Sequence, residues 1–425
     1  MQYLCFCCIY KVNEIKFEFM KKLFLCVALF AGLCCSCEND DGFSSSLQER
    51  KDIVLSRSEE EMVNENVKFA FSLFSKVNEM EKEKPNWMIS PFSASVVLSM
   101  IANGADGNTL TELQNVLGFK GFSMDEINHY YKKLDAELKG LDNSTQFAFA
   151  NSVWVDNGVN VYGSYAQVSK DMYNAPVTTL DLMGPDALRT INKWCGEQTN
   201  GFIPQMLDKM PDGIVACFLN ALYFKGIWKN KFKESNTKSE LFTCGGGSVK
   251  LVKMMRQNKG FDCWGNEYFS LAEFPYGNEA FSIVVLLPDE GKTLEECLQQ
   301  FTADCWSESV KMQKRNLDVH FPRFELKYET NLVGVMKELG VTDAFDAMSA
   351  NFSNFSSYDT FVSLLKQSTY VKVDEEGTEA AVVTVGGNMV TAPEFNKFYM
   401  NRPFAFLIKE KSTGTILFMG KVTEP

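Results

Sequence analysis

The chain is predicted to fold as one large α+β domain, and three observations predict it. Helix-period and strand-period stretches are mixed without the regular βα rhythm of a doubly wound sheet. No internal repeat, low-complexity linker or clear second boundary interrupts residues 61–425. Hydrophobic residues make up 45% of the 425, ample for a sizeable core.

The N-terminus reads as an address. Met20-Lys21-Lys22 opens a positive segment, residues 23–33 are apolar, and Cys34-Cys35-Ser36-Cys37 leads into Glu38-Asn39-Asp40-Asp41. This is the pattern of a signal peptide over residues 1–36, too short for an ordinary membrane-spanning helix, with Met20 as an alternative start. Ser36 before Cys37 resembles a bacterial lipobox, in which Cys37 is lipidated and becomes the mature N-terminus. Position −3 is Cys34 rather than the usual leucine, so a plain secretory signal is the alternative. The acidic residues after Cys37 resemble the surface-export signal of some Gram-negative lipoproteins. The polar, Ser/Glu-rich remainder of residues 37–60 reads as a flexible tether.

The body follows in order. Ser58-Glu-Glu-Glu61 has capping-box spacing, and the helix it opens carries Val63, Val67, Phe71, Phe74 and Val77 on one face. In Asn86-Trp-Met-Ile-Ser90-Pro-Phe-Ser93, Pro91 suits a first helical turn, and Ser90 or Ser93 can bond nearby backbone. Residues 147–155 alternate as a strand, and an amphipathic helix begins at Ile191 and runs towards Gly201. Residues 218–224 form a buried strand ending at Lys225-Gly226. Cys244-Gly-Gly-Gly-Ser248 is a hairpin turn, and residues 281–287 are a buried strand. Thr293-x-x-Glu296 caps another helix, Leu317, Val319 and Phe321 alternate as a strand, and a helix is expected from Thr330 to Leu339-Gly340. Val371 and Val373 alternate with polar neighbours, and residues 404–408 and 416–422 form a hairpin around Ser412-Thr-Gly414.

Composition excludes several functions. A net charge of −12 argues against nucleic-acid binding, and Lys229-Asn-Lys231-Phe-Lys233 reads as a solvated face. His129 and His320, the only histidines, lie in ordinary amphipathic contexts, which leaves little for a histidine-based hydrolase or metal site. Seven of the 13 cysteines fall within residues 1–37, and the other six show no Cys-x-x-Cys pair. No phosphate-cradling glycine loop or zinc spacing occurs, so no cofactor is expected.

One stretch stands apart: Asp374-Glu-Glu-Gly-Thr-Glu-Ala-Ala-Val-Val-Thr384. It has a glycine pivot and small side chains, as an exposed loop needs, yet also β-branched residues, as a strand needs. No proline occurs between Pro322 and Pro393, so no backbone donor is missing there.

Together these segments resemble the serpin family over about residues 61–425. The resemblance rests on Asn86-x-x-x-Ser90-Pro-Phe-Ser93, Gly104-Ala-Asp-Gly107, Asn220-Ala-Leu-Tyr-Phe-Lys-Gly-Ile-Trp228, Phe321-Pro-Arg323-Phe324, Leu339-Gly340, Asn401-Arg-Pro-Phe404 and Phe418-Met-Gly-Lys421. Glu375-Glu-Gly-Thr-Glu-Ala-Ala381 matches the family's hinge. The resemblance implies three sheets, about nine helices and a reactive loop over about residues 375–396. It also implies a suicide-substrate inhibitor. A protease attacks the loop and forms an acyl-enzyme, and the cleaved loop then enters the large sheet as a further strand. The inhibitor supplies no nucleophile and is not an enzyme.

The hinge comprises Glu375, Glu376, Gly377, Thr378, Glu379, Ala380, Ala381, Val382, Val383 and Thr384. By the family analogy Thr378, Ala380, Val382 and Thr384 turn inward on insertion, and none is charged. Ser90, Ser93 and Asn220 match the family's shutter positions, with Gln367 where a histidine is usual, so pH dependence carried by that histidine is expected to be absent. Trp228, Arg323 and Glu375 match the insertion point. Family spacing from Gly377 puts the scissile residue at Thr391, and counting back from Asn401 gives Ala392. Because Pro393 would be a poor leaving group, Thr391–Ala392 is the expected bond, with Val390–Thr391 as the alternative. The small, apolar window implies elastase-like or subtilisin-like serine proteases as partners, or papain-like cysteine proteases. A monomer is expected, touching membrane only through its lipid.

Overall fold

The computed structural model describes residues 48–211, 213–375 and 396–425. Residues 1–47, where the signal peptide and the lipidated Cys37 are expected, lie outside the described residues. So do residues 376–395, which include most of the expected hinge and the expected scissile window Val390–Ala392.

Residues 48–56 lie against the body. Ile53 is buried and its N–H donates to Ser412 Oγ at 3.0 Å, while Lys133 Nζ donates to Val54 O at 2.7 Å. The part of the expected tether seen here is therefore docked, because Ile53 and Leu55 supply apolar contacts that its polar composition obscures. Helix α1 (Arg57–Met80) starts on Ser56, not Ser58. Ser56 Oγ accepts from the Glu59 N–H at 3.3 Å, and Glu59 Oε2 accepts from the Ser56 N–H at 2.6 Å. The run Ser-Arg-Ser-Glu-Glu-Glu offers two overlapping frames, and the earlier one also brings Glu59 within 2.7 Å of Lys133 Nζ. The helix buries Val63, Phe71, Phe74 and Val77, as its stripe predicts.

Strand β1 (Asn86–Ile89) leads into α2 (Pro91–Gly104), α3 (Gly107–Leu117) and α4 (Met124–Leu138). Then come β2 (Gln146–Asp156), α5 (Gly163–Tyr173), β3 (Val177–Leu180), α6 (Ala187–Gln198) and β4 (Ala216–Lys225). Strands β5 (Lys238–Thr243) and β6 (Val249–Gly265) form the hairpin expected at Cys244-Gly-Gly-Gly-Ser248, with Gly247 at φ 81°. After β7 (Phe269–Pro275) and β8 (Phe281–Pro288) come α7 (Leu294–Gln300), capped by Thr293 and Glu296, and α8 (Ala303–Ser309). Strands β9 (Gln313–Pro322) and β10 (Phe324–Asn331) precede α9 (Val333–Glu338). The helix expected from Thr330 thus starts later. Thr330 and Asn331 are held in β10 opposite Gln367 and Lys366, so strand pairing overrides the local helical pattern. Strands β11 (Leu364–Val373), β12 (Asn396–Tyr399), β13 (Phe404–Glu410) and β14 (Ile416–Val422) complete the chain.

Five strands form one sheet in the order β10-β11-β4-β2-β3. The other nine form a continuous network, β1-β14-β13-β8-β7-β6-β9-β12, with β5 paired to β6. The 17-residue β6 is long enough to belong to two sheets, pairing β5 and β9 along its length and β7 at its end. The fold is thus α+β with three sheets and, among the described residues, nine α-helices.

Alternation along β4 decides which side chains face which core. Phe218, Leu222 and Phe224 join the main core, whereas Cys217, Leu219 and Ala221 join a second cluster with Ile191 and Cys195 of α6. The five-stranded sheet is therefore covered on both faces.

Candidate functional site

Two of the sheet's junctions are parallel, and one of these is between β4 and β11, where Leu364 to Val371 lie opposite Cys217 to Phe224. This seam organises every predicted site residue that the structure describes.

Under its middle lies a row of buried polar side chains. Asn151, Asn220 and Gln367 are direct neighbours across β2, β4 and β11. The N-terminus of α2 points at this row because Ser90 is its N-cap and Pro91 its first residue. Ser90 Oγ accepts from the Ser93 N–H at 3.2 Å. Ser93 Oγ donates to Asn220 Oδ1, and Asn220 Nδ2 donates to Asn151 Oδ1 at 2.7 Å. Gln367 Oε1 accepts from the Ser90 N–H at 2.8 Å, and its Nε2 donates to Ser90 O at 3.0 Å. The structure thus brings Ser90, Ser93, Asn220 and Gln367 into one network. Sequence reasoning missed one member, Asn151, and a flanking hydroxyl, Thr369. Thr369 Oγ1 donates to Met88 O at 3.1 Å, and Asn151 is the only polar residue on its face of residues 147–155, a signal that was available.

A second cluster closes the seam's upper end. Trp228 stacks on Tyr276 with ring centroids 4.6 Å apart, and its Nε1 donates to Asp374 O at 2.7 Å. Gly226 permits this packing, since a Cβ there would lie 2.5 Å from the Tyr276 ring. Glu375, only 7% exposed, is ion-paired to Arg323 Nε and accepts from Thr237 Oγ1. The hydrogen bond to Glu375 raises the Arg323 pKa above its ordinary value. Thr237 carries no local sequence signal; it arrives through the turn after Glu234–Asn236.

The site offers shape and hydrogen bonds rather than a nucleophile. Burial pushes the Cys195 and Cys217 thiols up to about 12. The neighbouring His320 is taken up by Glu240, 2.9 Å from its Nδ1, and by stacking on Tyr399 at 3.9 Å. Among the described residues no group of three or more His, Cys, Asp or Glu could hold a metal ion.

A family model described as serpin (serine protease inhibitor) matches residues 64–425. Human leukocyte elastase inhibitor is 33% identical over 382 residues, covering 86% of this chain and 100% of that protein. Rat neuroserpin is 31% identical, covering 81% of this chain and 87% of that protein. Among solved structures, native protease nexin-1 with heparin aligns with TM-score 0.79 at 27% identity, covering 86% of this chain and 100% of that one. The thermophilic serpin tengpin in its native state gives 0.79 at 26%, covering 89% and 98%. Seam, polar row and the Arg323–Glu375 pair thus stand in a chain matched from end to end of its body, and that chain belongs to the serpin family of serine protease inhibitors.

Proposed function

We propose that the protein is an inhibitory serpin, exported and lipid-anchored through Cys37 at a bacterial outer membrane or cell surface. The observation that carries the inhibitory reading is the position of Glu375. It leaves β11 at the mouth of the β4–β11 seam, so the segment that follows can fold back into that seam. A target protease acylated by Thr391 is drawn along as the cleaved loop becomes a strand between β4 and β11. Thr378, Ala380, Val382 and Thr384 then face the polar row, and the uncharged character of all four supports insertion over mere display.

The target is an elastase-like or subtilisin-like serine protease, or a papain-like cysteine protease. The small residues Val390, Thr391 and Ala392 support this, as does the similarity to leukocyte elastase inhibitor. The protein acts as a monomer, and its anchor is supported by the Ser36-Cys37 junction and the acidic residues behind it.

The test is to incubate the purified protein with elastase, subtilisin and trypsin and resolve the products on a denaturing gel. A detergent-stable covalent complex and a released peptide of residues 392–425 are expected with the first two. Cleavage without complex would make the protein a non-inhibitory serpin-fold binding protein. Radiolabelled palmitate incorporation that survives Cys37→Ala would overturn lipidation at Cys37.

A further inference from the structure

The strands of the five-stranded sheet fix which end of the body each neighbouring segment occupies. Strands β4 and β11 are parallel, so Lys225, the last residue of β4, lies at the end where β11 delivers Asp374 and Glu375. Strand β2 runs against β4 and starts at that same end, with Gln146 opposite Lys225. The turn of residues 139–145, just before β2, therefore sits at the pole that carries Glu375. Two contacts tie it there. Asn278 Nδ2 donates to Leu141 O at 2.7 Å, and the adjoining Gly277 N–H donates to Ile227 O, next to Trp228.

The N-terminal strap of residues 48–56 reaches the same turn. Gln48 Nε2 donates to Gly140 O at 3.0 Å. Further along, buried Ile53 is held through its N–H by Ser412 Oγ, and Val54 O by Lys133 Nζ. The turn that offers Ser412 is itself fixed by fully buried Glu410. The Glu410 carboxylate accepts from the Ser412 and Thr413 N–H groups at 2.6 and 2.8 Å. The strap thus meets Cys37's side of the chain at the pole of Glu375. The far end of the sheet, where Val155, Ala216 and Leu364 lie, is not where it departs.

We infer that anchor and reactive loop share one pole of the body, so that the loop works against the lipid surface and favours target proteases held at that surface over free ones. The inference rests on the lipid-anchored, inhibitory reading above and adds to it an orientation and a class of target. Ten residues, 38–47, separate Cys37 from Gln48, and a stretch of that length spans at most about 40 Å. A serine protease of about 230 residues is about 45 Å across. A free protease approaching a loop on this pole therefore meets the bilayer within about its own diameter, and much of its approach is blocked. A protease already seated on the surface approaches sideways and gains from its confinement there.

The test uses the full chain, purified with its lipid and placed in vesicles of phosphatidylethanolamine and phosphatidylglycerol. Two elastases are offered, one free and one held on the same vesicles by a His-tag and a nickel-chelating lipid. A variant with about 30 Gly/Ser residues inserted between Ser46 and Leu47 lengthens the tether and leaves the docked strap untouched. On vesicles it is expected to trap free elastase about fivefold faster than wild type, and surface-held elastase no faster. Equal rates for the two chains with free elastase, or equal acceleration with both elastases, would overturn the shared pole while leaving anchor and inhibition intact. Wild type that stays in solution when the vesicles are sedimented would overturn the anchor reading. Wild type in detergent that forms no covalent complex with elastase would overturn the inhibitory one. Either of these takes the proposal with it.

Discussion

Replacing Asn220 by alanine tests whether the buried polar row holds the seam closed. Asn220 is 2% exposed and uses both ends of its amide, accepting from Ser93 Oγ and donating to Asn151 Oδ1 at 2.7 Å. Truncation removes two hydrogen bonds, each worth about 1 kcal/mol net. It also strands Asn151, whose Nδ2 already has no partner among the described residues. Leaving a buried acceptor unmade adds about 1 kcal/mol or more, so the total is about 3 kcal/mol. Unfolding entropy is about 2.1 cal/mol/K per residue, so for a body of this size that is a fall in Tm of about 4 °C. Ser93→Ala and the double variant complete a cycle. Because both residues share one bond, the double variant should cost about 1 kcal/mol less than the sum of the singles. Calorimetry of the four proteins measures this. A loss below about 1 kcal/mol for Asn220→Ala, or strict additivity, would show that the row is spectator polarity rather than a fastening.

Three further outcomes are expected. Thr378→Arg places a charge at the first inward position, at a cost of several kcal/mol on insertion, and should turn inhibitor into substrate; retained complex on a denaturing gel would refute the inward assignment. Glu273 is buried between Lys409 at 3.2 Å and Lys411 at 2.9 Å, where burial raises its pKa but the two lysines outweigh it, leaving the carboxyl below its ordinary value. A depressed carboxyl stabilises above its unfolded pKa and loses that contribution as pH falls through the folded value. Glu273→Gln should therefore cost about 3 kcal/mol at neutral pH, with the gap to wild type closing below about pH 4; a gap that persists in acid melts would refute the pairing. Finally, Cys195, Cys217, Cys244, Cys263 and Cys297 are buried, so in the native body only half-exposed Cys305 should react rapidly with a thiol reagent, checked by peptide mapping.

What the sequence disclosed follows the range of the interactions involved. Ser90-Pro91 announces a helix start because capping and proline geometry are local, and the structure has it. The largely apolar run of residues 218–224, bounded by Lys225-Gly226, announces a buried strand for the same reason. The frame of the first capping box was ambiguous because its deciding contact, Lys133, lies 74 residues away from Glu59. The helix expected from Thr330 was shortened by a partner strand further along the chain. Ser90, Ser93, Asn220 and Gln367 could be named only through a family resemblance, since nothing near them in the chain says that one strand, another strand and a helix N-terminus meet. Thr237 escaped altogether. It acts at a junction made by tertiary packing, and it is an unremarkable residue in its own stretch.

The parallel pairing of β4 and β11 has a consequence for which chain the seam accepts. Two parallel edges present the same polarity, so a guest strand running opposite to both can form two antiparallel ladders at once. Direction is thus selected, but identity is not, and the equivalent segment of a second molecule meets the same requirement. What separates them is tethering. A segment joined to the seam by a short linker has an effective concentration of about 1 mM, against about 1 μM for a neighbour in dilute solution, roughly a thousandfold advantage. Held at high density on a surface, many copies would erode that margin, so the same opening that admits a molecule's own chain becomes, by crowding alone, a socket for its neighbour's.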